Sequence, residues 1–454
     1  MKKLVVGMIF MLSILCMSVT AFALTEGDWE YQLMENQAVI TQYTGKDENV
    51  VIPDMIGGVP VTAVTCDNNG DNYFNNGIIK SVTFPSTVKT INRMCYNSKT
   101  LETVVLPEGV EEIAEIAFSG CENLKNVTLP STLKKMGSFA FSGCSSLTSI
   151  NFPAALETMD SGVFSKSGLA SVDMSACTNL KKIDSAIFRY CTELKTVSLP
   201  NNFTNITNFM FGDCTALTDI DISRTVTSIG MEAFYGCTSL DSVVLPASLK
   251  DVEQNAFSEC TSLEEVIIPY GTENIESSFQ NCTSLKGVYV PDTVIYFGIN
   301  ILKGSPNAII YCTSDSKAAE VCKKNTISYL TDSSVNTPVN VLYNGKRVSF
   351  DKYGKNPEIL EGRTLVPLRS IFEAMNAEVD WDGATSTVTA TRDDVSIQIC
   401  IGASEMYKNG TAIPVDVPAQ LVGDYTMVPV RFIAEAFDAA VEWNGNGDVV
   451  LISE

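Results

Sequence analysis

Cysteine is the residue whose number and spacing most directly suggest chemistry in this chain of 454 residues, which contains 14 of them. A regular series of cysteines in an extracellular protein suggests disulfides. Each member of the series here precedes a leucine at the same offset, however, and a free cysteine packs as a small apolar side chain. We therefore favour a column of buried thiols and leave disulfides within the series as the open alternative. The series is Cys121, Cys144, Cys191, Cys214, Cys237, Cys260 and Cys282, with Ser167 in the same position of one repeat.

Cys312 and Cys322 stand outside this series. The sequence around them predicts a strand at residues 309–311, followed by a helix at residues 316–325. A helix that folds back on a strand brings side chains of the two elements together. We therefore predict a disulfide between Cys312 and Cys322.

Histidine is absent from the sequence, and its absence removes several kinds of active site. The chain cannot build a Ser-His-Asp or Cys-His nucleophile, an HExxH zinc site or a histidine-ligated copper site. Residues 131–134 match the S-x-x-K signature of serine acylases, but no supporting motif accompanies them. A carboxylate pair for glycoside hydrolysis stays open, because such pairs need no fixed spacing. We expect no enzyme activity, no cofactor and no resident metal.

Charge and the N-terminal residues restrict the partners and the location. A net charge of −22 repels phosphate backbones and anionic lipids, which argues against nucleic-acid binding. Residues 1–23 combine two lysines, an apolar run and the Ala21-Phe22-Ala23 motif, which is typical of a signal peptide. No later stretch reaches the roughly 20 apolar residues that span a bilayer. We expect a protein that is secreted or held at the cell wall, without a membrane span.

A repeat of about 23 residues, C-x-x-L-x-x-V-x-L-P-x-x-L-x-x-I-x-x-x-A-F-x-x, organises most of the chain. After Leu101, for example, the apolar residues Val104 and Leu106 alternate and a proline follows, which predicts a short strand. No single repeat can bury such a strand, so we predict stacked repeats with a parallel sheet and one continuous core. The leading leucines are Leu101, Leu124, Leu147, Leu169, Leu194, Leu217, Leu240, Leu263 and Leu285.

The C-x-x-L, V-x-L-P and A-F elements resemble the BspA-like leucine-rich repeats of bacterial surface and secreted proteins, over residues 50–330. The resemblance implies a β-rich leucine-rich-repeat solenoid, with a hairpin cap at residues 24–49 and a closing cap near its C-terminal end. An insertion rich in Asn and Asp, residues 67–77, interrupts the first repeat. Such a loop could bind calcium, but loops of this composition are usually turns, which is the interpretation we favour.

The sheet of a solenoid exposes two residues per repeat, and ligands commonly bind along that face. Four positions after each leucine the residues are mostly small and polar until Asp221, and then become apolar. Adjacent exposed apolar residues indicate a docked protein partner, although a shielding cap or contacts between neighbouring repeats explain them equally well. The predicted ligand-binding surface consists of Asp219, Asp221, Val244, Glu265, Ile267 and Tyr289.

A second domain, residues 339–454, follows a polar linker at residues 331–338. Residues 364–381 realign without gaps on residues 426–443, and each copy predicts a strand, a helix that begins at a proline, and a strand that ends near tryptophan. The fold class predicted for this domain is therefore small α+β with an internal duplication. Asn376 and Asp438 fall where each helix should end in a left-handed conformation.

These motifs resemble the copper amine oxidase N-terminal-like domain. The family name implies no catalysis here, because oxidase chemistry belongs to a separate domain and the chain lacks histidine. Arg369 and Arg431 occupy matching positions in the two copies. They are either ligand contacts or structural partners of carboxylates, and the matched positions favour the second interpretation.

Two functional hypotheses follow from the sequence. The favoured one is a secreted or cell-surface adhesion protein whose solenoid binds a protein or glycan on a host, on a neighbouring cell or in its own cell wall. The alternative is a structural spacer that the C-terminal domain attaches to the wall. A hydrolase is a third hypothesis, which no positive feature supports.

Overall fold

The computed structural model describes residues 23–65, 77–360 and 362–453. The predicted signal peptide, except for its last residue, and all but the last residue of the Asn-rich insertion lie outside these described residues, as does the calcium site considered there. Within the described residues, no helix is both long and apolar enough to cross a membrane. From the N-terminus the chain forms a hairpin cap, a long solenoid, a closing cap and a small α+β domain.

The N-terminal hairpin starts the solenoid. Strands Trp29–Met34 and Gln37–Tyr43 pair antiparallel, and Leu24–Glu26 adds to the outer edge. Strand Val59–Val64, which also forms a small hairpin with Met55–Ile56, joins Gln37–Tyr43 in parallel. Ala38 and Ile40 of the hairpin are fully buried. The hairpin therefore covers the open end of the apolar core.

Most solenoid turns carry two short parallel strands, whereas the sequence predicted one. The predicted strand after each leading leucine forms the first column, and a two-residue strand at the isoleucine position of the repeat forms the second. The first column comprises Asn49–Val51, Ser81–Thr83, Thr103–Val105, Asn126–Thr128, Ser171–Asp173, Thr196–Ser198, Asp219–Asp221, Glu265–Ile267, Gly287–Tyr289, Ile309–Cys312 and Tyr329–Thr331. The second comprises Thr90–Ile91, Glu112–Ile113, Lys135–Met136, Thr158–Met159, Lys182–Ile183, Asn205–Ile206, Ser228–Ile229, Asp251–Val252, Asn274–Ile275 and Tyr296–Phe297.

Equivalent positions of successive turns lie side by side, as the repeat predicts. Thr103 lies opposite Asn126, and Thr196 lies between Ser171 and Asp219. The first column is divided into three sheets, because residues 147–151 and 240–245 hold no strand. The turns still stack through these gaps, so the apolar core is continuous from Tyr31 to Cys322.

Two ladders of side chains run through this core. The phenylalanines of the A-F element are fully buried, and successive rings stack with centroids 5.0 to 6.0 Å apart. Beside them, the thiol of Cys214 donates to the carbonyl oxygen of Phe188 at 3.1 Å, and Cys237 repeats this contact with Phe211 at 3.2 Å. All seven cysteines of the series are buried free thiols. Burial raises the pKa of Cys121 to about 12, so the packing role favoured from the sequence is the one the structure shows.

The closing cap contains the helix α1, Lys317–Asn325. Its N-terminus is capped by Ser316, whose hydroxyl oxygen accepts a hydrogen bond from the amide of Ala319 at 3.2 Å. Cys312 lies in a strand and Cys322 in this helix, and both are fully buried. The disulfide predicted between them is not formed, because both are free thiols. Each side chain instead packs in the solenoid core as one of its apolar members.

The C-terminal domain contains the same structural unit twice. Equivalent residues of the two copies are 62 positions apart, as in the sequence duplication. Helix α2, Leu368–Ala374, and helix α3, Val430–Ala436, each follow a strand that ends at proline. Those two strands pair antiparallel around Val366 and Val428, which are equivalent residues of the two copies. The strands are Asn340–Tyr343, Lys346–Arg347, Glu358–Leu360, Arg363–Pro367, Glu378–Asp382, Thr387–Arg392, Val395–Cys400, Glu405–Lys408, Thr411–Pro414, Gln420–Val422, Tyr425–Pro429, Ala440–Asn444 and Val449–Ser453.

The left-handed positions predicted in this domain are present. Asn376 and Asp438, just beyond the two helices, have φ of 59° and 63°. Asn344 and Asn409 open two tight hairpins with φ of 47° and 50°, each followed by a glycine of positive φ. The Asn344 hairpin reaches the solenoid, where it lines a cavity together with Val244 and Ile267.

Candidate functional site

Over most of its length, the exposed face of the first-column sheets is polar. Residues two and four positions after each leading leucine point away from the core, and from Asn126 to Asp221 their side chains are exposed. They carry hydroxyl, amide and carboxylate groups, with no large apolar side chain among them. We call this set the polar face: Asn126, Thr128, Ser149, Asn151, Ser171, Asp173, Thr196, Ser198, Asp219 and Asp221.

At the end of the polar face the C-terminal domain docks on the sheet. The amide nitrogen Nδ2 of Asn446 donates to Oδ1 of Asp221 at 2.7 Å, and the backbone oxygen of Asn446 accepts from the amide of Ala247 at 2.8 Å. Next to it Gly447 faces Val244, and a Cβ on Gly447 would lie 2.4 Å from Val244 Cγ1. The loop between the last two strands of the domain is therefore fitted closely to the solenoid.

A buried arginine makes the second contact between the domains. The side chain of Arg347 is 1% exposed, and its Nη1 donates to Oδ2 of Asp332 at 3.1 Å. Nη2 donates to the carbonyl oxygen of Ser334 at 2.6 Å and Nε to Oδ1 of Asn340 at 3.1 Å, while the guanidinium lies 4.8 Å from the ring centroid of Tyr289. Burial lowers the pKa of Arg347, and the charge of Asp332 opposes that shift. One guanidinium thus joins the last solenoid turns, the connecting segment and the C-terminal domain.

Glu265 lies between these two contacts. Its Oε2 accepts a hydrogen bond from the backbone amide of Arg347 at 3.2 Å, and burial raises the pKa of its carboxyl group. Beside it the two domains enclose a cavity of about 380 Å³, whose walls include Val244, Ile267 and Leu342. We call this space the junction cavity.

Five of the six residues predicted to form an open ligand surface therefore face the chain's own C-terminal domain. They are Asp221, Val244, Glu265, Ile267 and Tyr289, and the sixth is Asp219. The C-terminal domain thus contacts much of the predicted surface, and a ligand-binding role of these residues stays a prediction. The arrangement matches the shielding cap that the sequence left as an alternative. That cap is the second domain of the same chain.

The segment predicted to be a linker, residues 331–338, is packed between the domains. It contains a short 3-10 turn, Ser333–Val335, and buries Asp332, Ser334 and Thr337. Asp332 is the partner of the buried Arg347, so burying this polar segment leaves neither charge unpaired. The connection is consequently a structural part of the junction.

The two matched arginines of the duplication lie on the surface. Nε of Arg431 is 4.0 Å from Oε1 of Glu435, and the guanidinium of Arg369 lies 5.9 Å from the ring centroid of Tyr353. Arg431 thus lies near the carboxylate partner that we favoured, and Arg369 interacts electrostatically with Glu373, the residue equivalent to Glu435. Arg431 also lines a cleft of about 500 Å³ on the C-terminal domain, together with the exposed side chain of Trp443.

Sequence reasoning missed the residues that fasten the two domains together. Arg347 follows an ordinary hairpin turn, and Asn446 and Gly447 lie in a loop where asparagine and glycine normally indicate a turn. The available signal was the change of the exposed column from polar to apolar after Asp221. It showed that something covers these turns, but not that the cover is part of the same chain.

Comparisons with known protein families agree with this division. The family model described as BspA type leucine rich repeat region matches residues 68–195 and 181–309, with 6 copies. The model described as copper amine oxidase N-terminal domain matches residues 342–452. Together they account for the solenoid and the C-terminal domain, and neither indicates an enzyme family.

Among solved structures, a leucine-rich-repeat protein of T. pallidum is 29% identical over 47% of this chain and 88% of its own, with a TM-score of 0.36. A leucine rich cell surface protein of Faecalibacterium prausnitzii is 22% identical over 67% of this chain and 97% of its own, with a TM-score of 0.41. The pneumococcal vaccine antigen PcpA is 18% identical over 68% and 98%, with a TM-score of 0.40. No curated protein matches the chain.

The second family's description names copper, but the described residues provide no set of copper ligands. The sequence has no histidine. Across residues 23–65, 77–360 and 362–453, no group of three or more Cys, Asp or Glu side chains is arranged to hold a metal ion. The described residues do not fit a copper centre, and three surfaces are considered for function: the polar face, the junction cavity and the cleft beside Trp443.

Proposed function

Because the chain belongs to the BspA type leucine-rich-repeat family, we propose that it is a secreted or cell-surface binding protein that holds a protein or glycan partner on the polar face. A solenoid that presents an open sheet face is suited to binding. The acidic character of the chain disfavours nucleic acids as partners. The proposal covers a partner on a host, on a neighbouring cell or in the cell's own wall.

The observation that carries this proposal is the exposure of the polar face beside a covered apolar end. From Asn126 to Asp219 the face offers hydroxyl, amide and carboxylate groups along consecutive turns, and at its end Asp221 contacts Asn446 of the C-terminal domain. Such groups hydrogen-bond well to carbohydrate hydroxyls and to polar protein surfaces. The apolar turns, which would otherwise be the strongest sites for protein docking, are occupied by the C-terminal domain.

The test is a binding screen of the mature protein against arrayed glycans, purified cell walls and host matrix proteins, repeated with a variant of the polar face. Thr128→Arg combined with Ser198→Arg places two bulky charges on exposed positions of that face. We expect any partner found with the wild type to bind about tenfold more weakly or worse. Thr178→Arg with Thr192→Arg, at exposed positions elsewhere on the solenoid, should bind unchanged. Equal loss in both variants would contradict the proposal.

The second candidate function, a spacer attached to the wall by the C-terminal domain, is supported by the cleft beside Trp443. The cleft remains open and combines an exposed indole, suited to stacking on sugars, with Arg431, suited to pairing with acidic wall polymers, while Arg363 in its wall is paired with Asp416. Pull-down of the full mature protein on purified cell walls tests it. Trp443→Ala should abolish retention. Trp381→Ala, in the equivalent and equally exposed position of the other copy, should not.

A further inference from the structure

The junction cavity has the size and the composition of a small-molecule site. Its volume of about 380 Å³ lies within the roughly 300–1,000 Å³ typical of such sites, which favour domain interfaces. Aliphatic side chains from both domains form its walls: Val244 and Ile267 from the solenoid, and Leu342 and Leu451 from the C-terminal domain. A ligand that enters would therefore leave water and contact apolar surface on two sides.

The charged groups of the cavity are predominantly acidic. Asp241, Glu264 and Glu265 line it, against Lys346 alone. Glu264 is already paired with Lys286, outside the cavity, at 2.6 Å. Glu265 lies deeper, between the apolar walls, and its Oε2 accepts a hydrogen bond from the backbone amide of Arg347. Within the described residues its Oε1 makes no hydrogen bond, which leaves an acceptor for a ligand.

We propose that the junction cavity binds a small organic cation, an ammonium group carried on a short aliphatic chain. The ammonium group donates to Glu265, because a charge-assisted hydrogen bond between apolar walls is stronger than one in water. The aliphatic chain lies along Val244, Ile267 and Leu342. An anion of the same shape is disfavoured, because it would meet three carboxylates and one ammonium. A neutral analogue gains only the apolar contacts.

The experiment uses n-hexylamine as the probe, with n-hexanol and hexanoate as neutral and anionic analogues of equal chain length. Binding to the purified full mature protein is measured by calorimetry and by ligand-observed NMR at neutral pH. We expect hexylamine to bind at least about tenfold more tightly than either analogue, since a hydrogen bond to a charged group is involved. Glu265→Gln should remove this preference while hexanol binding stays the same. Glu193→Gln, at an exposed position distant in sequence, should change neither.

Ser242→Phe gives a second, independent variant. Ser242 is an exposed residue at the rim of the cavity, so the larger ring fills the entrance without disturbing the core. It should weaken hexylamine and hexanol equally. Equal affinity of the wild type for amine and alcohol, or an amine preference that survives in Glu265→Gln, would overturn the proposal. The outcome does not depend on the polar face, so the two proposals can fail separately.

Discussion

The solenoid and the domain junction are held together in different ways. In the solenoid each turn repeats the contacts of the turn before it, so Phe164, Phe188 and Phe211 stack through the same geometry. At the junction every contact occurs once, and the guanidinium of Arg347 alone joins three parts of the chain. Repetition spreads stability over many equivalent residues, whereas the junction depends on a few. Substitutions in the two regions should therefore change stability in different ways.

The largest effect is expected from truncating a ring within the phenylalanine ladder. Phe188 is fully buried and stacked on both sides, so Phe188→Ala leaves a cavity between two rings. We expect it to lower the free energy of unfolding by about 4 kcal/mol. Chemical denaturation followed by circular dichroism measures this loss. Phe139→Ala, whose ring is 42% exposed, is the matched control and should cost about 1 kcal/mol or less. Similar losses in both variants would show that the ladder contributes no special stability.

The second effect is expected at the junction. Arg347→Met keeps an unbranched stem of four atoms but removes the guanidinium group, which leaves the buried carboxylate of Asp332 without its charged partner. We expect the docking of the two domains to weaken by about 3 kcal/mol, while the solenoid keeps its own stability. Hydrogen exchange distinguishes weaker docking of the domains from a loss of solenoid stability. Amides of residues 331–347 should lose protection, and those near Phe188 should not.

The same substitution in an exposed ion pair provides the control for the junction. Arg363 pairs with Asp416 at 2.7 Å, and both side chains are about half exposed. Arg363→Met should therefore change stability by less than about 1 kcal/mol. If the two arginine variants behaved alike, burial would not be what makes Arg347 important.

The contrast between the two regions also explains what the sequence could and could not predict. A contact that recurs at each repeat leaves a periodic pattern, so the sequence predicted stacked repeats with one continuous core and favoured a column of buried thiols. The duplication likewise placed Asn376 and Asp438 correctly. Arg347, Asn446 and Gly447 occur once, in segments whose local patterns predict only turns. Their role depends on which surface the domain meets, and that information lies more than 80 residues away in the chain, as for Glu265 and Arg347.

The third effect is expected at the point where the domains approach most closely. A methyl group on Gly447 would lie 2.4 Å from Val244 Cγ1 and 2.9 Å from the carbonyl oxygen of Leu245. Because one of these neighbours is backbone, Gly447→Ala should force the loop outward and weaken docking by about 2 kcal/mol. Limited proteolysis at the junction measures the opening. Gly383→Ala, where the added carbon meets only an ordinary contact at 3.5 Å, should leave the cleavage rate unchanged.

The smallest effect is a dependence of stability on pH. It should have opposite signs for two neighbouring carboxyl groups, those of Glu265 and Glu264. Burial raises the pKa of Glu265 above its usual 4.5, although Lys286 and Lys346 oppose this and Glu264 adds to it. Its contribution to stability is therefore present below the usual pKa and is lost as the pH rises through the raised value. Glu264 is hydrogen-bonded to Lys286, which lowers the pKa of its carboxyl group. Its contribution is present above the usual pKa and is lost as the pH falls through the lowered value.

Thermal unfolding of the wild type and of two glutamine variants over a range of pH distinguishes these signs. A glutamine amide is uncharged, as the protonated carboxyl group is, so Glu265→Gln should match the wild type in acid and exceed it in melting temperature at neutral pH. Glu264→Gln should match the wild type in acid and fall below it at neutral pH. Two curves that change in the same direction would show that Glu265 is as solvated as Glu264, and that the C-terminal domain does not cover it in solution.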